Sequence, residues 1–170
     1  MREHLLGLSI YVFERTRRRV DGLRDEEYFW EPVAGCWSVR VDSDGGATAD
    51  WYPNPSVAPV TTVAWRLWHL TDCYGAARNE RWLCGSSGWD DDRTAPQPNA
   101  AAALAALEGA STWWHELLGS LTDEELATPL GPIAGPYADQ DKAGFVLHQL
   151  DEMIHHGAEI GVLRDLYRCH

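Results

Sequence analysis

The sequence predicts an all-α fold, a bundle of four long helices. Four long stretches carry apolar residues at three- and four-residue steps, the helical period. Proline, glycine and polar clusters separate them. The last stretch also packs three histidines and several acids into the span His148 to Glu159, which turns a simple amphipathic helix into one with a polar purpose.

The first helix is predicted from about Arg2 to about Val20, with apolar Leu5, Leu6, Ile10 and Val12-Phe13. Its basic end, Arg17-Arg18-Arg19, suits the negative pole of a helix dipole. The second is predicted from near Val60 to about Leu83, with Pro59 ahead of it and Thr61 or Thr62 as its cap. The third, rich in Ala and Leu, runs from about Asn99 to about Ser120, and the fourth from about Asp139 to about Leu166. Leu147, Leu150 and Ile154 mark the helical spacing of the fourth.

The connections are informative as well. Leu23-Arg24-Asp25-Glu26-Glu27 before Pro32 is echoed by Leu121-Thr122-Asp123-Glu124-Glu125 before Pro129. Each copy predicts one short helical turn after a long helix, and Thr122 with Glu125 has capping-box spacing. The stretch from Pro32 to Pro59 is long, and it carries Trp37, Trp51 and Tyr52, so it can cover something apolar. A second irregular stretch, Gly85 to Pro98, holds Asp90-Asp91-Asp92, which lacks the ligand spacing of a calcium loop and reads as a solvated turn.

A chain of 170 residues with 45% hydrophobic content fits one domain, 1–170, with a real core. Its formal charge of -12 argues against nucleic acid or an anionic membrane as partner, since both call for a basic surface. The apolar run from Leu5 to Phe13 has no small-residue cleavage site after it, and no run reaches membrane-spanning length. Cys36, Cys73, Cys84 and Cys169 match no zinc-ribbon spacing, and CxxC is absent. The expected location is therefore the cytoplasm, with reduced thiols.

Glu152 and His156 are four residues apart, so they project from one helix face one turn apart. A carboxylate and an imidazole in that geometry can share a first-row metal ion. A third ligand must come from another helix. His69, set among apolar Leu67, Trp68 and Leu70, is the best candidate. His148 continues the ridge of Glu152 and His156, whereas His155 is turned about 100° away from His156. Cys73, one turn beyond His69, is a soft alternative ligand, and Glu159 or Asp72 is suited to orient a ligand imidazole. Trp65 and Trp68 lie within a turn of His69 and can line a pocket there, since indole joins apolar area to a single donor.

Taken together, Leu23 to Glu27 ahead of a Trp and Pro, Cys36-Trp37-Ser38-Val39-Arg40, Trp65 to Asp72 and His148 to Leu166 resemble the DinB-like family, including the N-terminal metal domain of the mycothiol-dependent maleylpyruvate isomerases. The resemblance covers nearly the whole chain. It implies a four-helix bundle in up-down-down-up order, often dimeric, with zinc or nickel held by one His of the second helix and two residues of the last. By position those ligands are His69, Glu152 and His156; many members have His where this chain has Glu152, and the isomerase-like ones have Glu. His155-His156-Gly157-Ala158-Glu159 stands where His-His-Arg-Gly-Gln is common, so an Arg is missing. The isomerase's second domain has no counterpart in a chain this short, and its reaction is not implied.

The resemblance implies a thiol S-transferase. A low-molecular-weight thiol such as mycothiol would be activated at the metal and attack a small-molecule electrophile, with His148 or Glu159 moving protons and a homodimer as the expected assembly. A metal hydrolase using bound water at the same site is the alternative. A non-catalytic metal-binding dimeric module is a third reading.

Overall fold

A computed structural model describes residues 1–51, 59–85 and 93–169 of the chain. Tyr52, offered above as cover for an apolar surface, and Asp90-Asp91-Asp92 lie outside the described residues. The protein is predominantly helical. Its long helices are α1 (Arg2–Val20), α3 (Val63–Gly75), α5 (Ala100–Ser120) and α7 (Lys142–Arg168). The short ones are α2 (Asp25–Tyr28), α4 (Arg78–Cys84) and α6 (Asp123–Leu126), with a 3-10 segment at Pro132–Tyr137. α1 packs on α5 and α7, and α3 packs on the same two helices. Among the described residues, no helix is long and apolar enough to cross a membrane.

Two sequence expectations are corrected here. The second helix does not continue from Val60 to Leu83. Ala76 is extended (φ -67°, ψ 134°) and separates α3 from α4. The break is stabilised by the buried Asn79, whose amide donates to the Cys73 and Tyr74 carbonyls at 2.8 and 3.0 Å and so satisfies acceptors that the missing turn would have used. The stretch that begins at Pro32, read as a loop, also holds regular structure. The long connection holds an antiparallel hairpin, β1 (Val39–Val41) paired with β2 (Ala47–Ala49). Its turn is closed by Asp42, whose Oδ1 accepts the Asp44 and Gly46 N–H groups, with Gly45 at φ +84°.

Capping fixes the helix starts. The Thr62 side chain accepts the Trp65 N–H at α3, Asn99 accepts that of Ala102 at α5, and Asp141 that of Gly144 at α7. The last helix therefore begins after Asp141 and not at Asp139. The two copies of the echo are both single-turn helices, held differently. α6 has the capping box between Thr122 and Glu125. α2 lacks a side-chain cap, and its Glu27 instead forms a buried, two-pronged ion pair with Arg164 of α7, at 2.6 and 3.0 Å. Arg164 also donates to the Arg19 and Asp21 carbonyls, so both charges are fully bonded.

The core is built around Trp114, Tyr74, Leu67, Leu70, Leu107, Leu118, Leu150, Met153 and Ile160, all buried. On α7 the buried stripe is Val146, Gln149-Leu150, Met153, Gly157 and Ile160, while Leu147 is 52% exposed. On α1, Ile10 is exposed, and Ser9 and Thr16 take core positions instead. α1 and α7 approach so closely at Gly157 that a Cβ there would overlap Thr16 Oγ1. This explains locally why no Arg stands at that position.

Candidate metal centre

α3 and α7 bring His69, Glu152 and His156 together. Glu152 Oε2 lies 3.0 Å from His69 Nε2 and 3.2 Å from His156 Nε2. One ligand atom from each of the three lies within 4.8 Å of the others. Zinc bonds of 2.0–2.1 Å in a tetrahedron set neighbouring ligand atoms about 3.3 Å apart, so the two measured separations suit a shared ion. All three side chains are half-buried, with relative exposures of 19%, 22% and 14% in the order named.

The hydrogen bonding of His156 bears on whether a cation fits. Its Nδ1 is 2.6 Å from Glu159 Oε2 and 2.9 Å from Arg66 Nη1, and Arg66 and Glu159 also pair with each other. Glu159 only accepts and the Arg66 guanidinium only donates, so the first contact calls for a proton on Nδ1 and the second for a lone pair there. With the proton on Nδ1, Nε2 turns a lone pair toward Glu152 Oε2, and with the proton on Nε2 it donates to that oxygen. Two lone pairs facing at 3.2 Å repel unless a positive charge lies between them. Burial pushes the His156 pKa below its ordinary value and disfavours the extra proton. A divalent ion meets the same need, and the donor set of two imidazoles and one carboxylate fits a divalent first-row metal. The Glu152 carboxyl is held well below the usual carboxylate range by the His156 and His69 hydrogen bonds, so it is ionised and ready to bind a cation.

Around these three, Trp65 stacks on His69, with ring centroids 5.0 Å apart and planes inclined by 19°. Its indole N–H donates to the Asp50 carbonyl, and that of Trp68 donates to the Thr94 carbonyl. Trp51, which follows the hairpin, stacks on Trp65 at 5.8 Å and lies 6.3 Å from His69. The hairpin is pinned by Asp50 Oδ2, which accepts from the Ser38 N–H and Arg40 Nε. Its place in the fold is thus to lay an indole against the one that supports His69. Trp65 and Trp68 are both buried and form wall rather than open pocket surface.

The remaining sequence candidates separate. Glu159 is on His156, and its other oxygen is 3.2 Å from His155 Nε2. His148 is mostly exposed, with Nε2 3.8 Å from Glu152 Oε1. Cys73 Sγ is 3.6 Å from His69 Nε2, in a buried position that pushes its thiol pKa up. Asp72 does not orient a ligand imidazole, because its oxygens take the Arg78 guanidinium and the Thr94 N–H. Arg66 was missed by sequence reasoning. Its signal was present: an Arg among Val63, Ala64, Trp65, Leu67 and Trp68, one turn before His69, is a charge that needs a buried partner.

The family model of the DinB superfamily matches residues 11–160. No curated protein and no solved structure matches the chain.

Proposed function

The chain belongs to the DinB superfamily, and from that premise we propose that it is a metal-dependent thiol S-transferase. His69, Glu152 and His156 would hold a divalent ion, zinc or nickel, and a low-molecular-weight thiol of the mycothiol type would attack a small electrophile. The observation that carries this reading is the convergence of His69 Nε2 and His156 Nε2 on one oxygen of Glu152, at 3.0 and 3.2 Å. When bound, the ion supplies the positive charge that makes a thiol ionise near neutral pH.

The chain's own residues do the rest. Glu159 holds the His156 ring through Nδ1, and Trp65 holds the plane of the His69 ring. The thiol proton passes to His148 Nε2 and on to water, a role supported by the exposure of that ring and its approach to Glu152 Oε1. The thiol sulfur then forms a bond to the electrophilic carbon as the leaving group departs with its electron pair.

The same reading takes residues 1–170 as one domain and the long helices as an up-down-down-up bundle. Leu6 lies beside Gly119 and Ser9 beside His115, which supports opposed α1 and α5. Gly157 faces Thr16 and Gly161 faces Arg19, which supports parallel α1 and α7. Arg66 reaches Glu159 while His69 reaches Glu152, which supports opposed α3 and α7.

Purification without chelator should yield protein carrying about one ion per chain, the stoichiometry of a single three-ligand site. Added thiol should drive chloride release from chloro-dinitrobenzene, and His156→Ala should lose both the metal and this turnover. Ester hydrolysis by the metal-loaded protein without any thiol would instead assign it as a hydrolase.

A further inference from the structure

We propose that the open cavity beside the candidate metal centre binds the acceptor substrate, and that this substrate is a small carboxylate with a flat apolar body. The proposal deepens the transferase reading and rests on it for the word acceptor.

Gln149 sits in the buried stripe of α7 at 3% exposure, and its Oε1, closed off from solvent, has no hydrogen-bond partner among the described residues. Gln149 lines a cavity of about 460 Å³ together with Arg78, Trp82, Tyr137, Phe145 and His148. The Trp82 ring is 5.0 Å from Phe145 and 6.1 Å from Tyr137, inclined at 58° and 45°. Phe145 is buried, while Trp82 is partly exposed and Tyr137 is 50% exposed, so these two rings offer aromatic surface to a flat ligand.

Charge decides the polar end. Arg78 donates through Nη1 to Asp72 Oδ2 at 3.1 Å, and no other acceptor is bonded to its guanidinium among the described residues. The fork has N–H groups left for a second carboxylate. Arg78 and Asp72 cancel, and a divalent ion exceeds the single charge of Glu152, so the loaded site is net positive. His148 joins the two regions: it lines the cavity and lies 3.8 Å from Glu152 Oε1. A carboxylate on Arg78, with its body among the rings, would therefore hold its remaining end close to the metal ligands.

Zinc-loaded protein is titrated with benzoate and with benzamide while the tryptophan indole N–H signals are followed by heteronuclear NMR, that of Trp82 being identified from Trp82→Phe. Benzoate should shift the Trp82 signal saturably and benzamide should bind at least about tenfold more weakly, the scale of a charge-assisted pair. Arg78→Gln should weaken benzoate by about tenfold or more, and Arg78→Lys, which keeps a charge beside Asp72, should give a smaller loss. An unmoved Trp82 signal, equal binding of the two probes, or unchanged benzoate affinity in a folded Arg78 variant (the result if benzoate simply ligates zinc) would overturn the proposal. Thiol turnover of uncharged chloro-dinitrobenzene reports on the transferase reading alone, so the two ideas can fail separately.

Discussion

Glu159 Oε2 lies 2.6 Å from Nδ1 of His156, three residues earlier on the same helix, and thereby sets which edge of that imidazole faces Glu152. In the proposed site this contact would make an ordinary helical neighbour a control on metal affinity. Glu159→Gln keeps the volume but replaces a charged acceptor with a neutral one. Zinc affinity should fall about tenfold, the lower end for partners of metal-bound histidine. Competition with a chromophoric chelator measures this, and an unchanged affinity would deny Glu159 any part in positioning His156.

The pH dependence of the metal-free protein has a definite sign. Burial lowers the His115 pKa, against the weaker opposing effects of its Ser9 hydrogen bond and of Glu14. The unfolded chain takes up a proton near the ordinary imidazole value of about 6.5, and the folded chain resists it. Below that pH the unfolded state binds more protons, so stability is complete above it and declines as pH falls through it. His156 is shifted the same way by burial. Thermal melting of chelator-treated protein should be lower at about pH 5.5 than at about pH 7.5, with a shallower trend in His115→Gln. A melting temperature that rises on acidification contradicts the assignment.

Gly157 is a packing constraint between α1 and α7. Gly157→Ala pushes a methyl into Thr16 Oγ1 and should cost about 1–3 kcal/mol, the range for overpacking. Thr16→Ala removes the obstructing hydroxyl, so adding it to Gly157→Ala should recover most of the loss. Denaturant melts of the single and double variants test this through their coupling. Simple additivity would mean that the two helices do not meet there.

Glu27→Ala leaves the Arg164 guanidinium buried with only the Arg19 and Asp21 carbonyls as partners. Removing one member of such a pair should cost about 3–5 kcal/mol. Replacing both residues by apolar ones of similar volume should cost much less. Equilibrium unfolding distinguishes these outcomes, and a small effect of Glu27→Ala alone would show that the pair is hydrated.

The histidines and acids of α7 were legible because helical period alone puts Glu152 and His156 on one face. His69 was legible as an imidazole in an apolar run. Other features depended on contacts that a linear reading does not contain. The break at Ala76 follows from Asn79 turning back onto two carbonyls, which local propensity does not signal. The hairpin at Val39–Val41 and Ala47–Ala49 lay in a stretch whose glycines and prolines read as loop. The two copies of the Leu-x-Asp-Glu-Glu echo look alike in sequence, yet Glu125 closes its own helix while Glu27 reaches across the fold to Arg164.

By itself the sequence determined the helical class, the superfamily and the side chains available for metal chemistry, because these depend on residue type and on spacings along a single helix. Only the tertiary structure decided that Glu159, and not Asp72, holds the His156 ring, that Trp51 backs the indole on His69, and that Arg78 shares a cavity with Trp82 and His148. Each of those is a distance between residues far apart in the chain, set by how α3, α7 and the hairpin pack, and helix packing is fixed by side-chain volume and close approach rather than by local pattern.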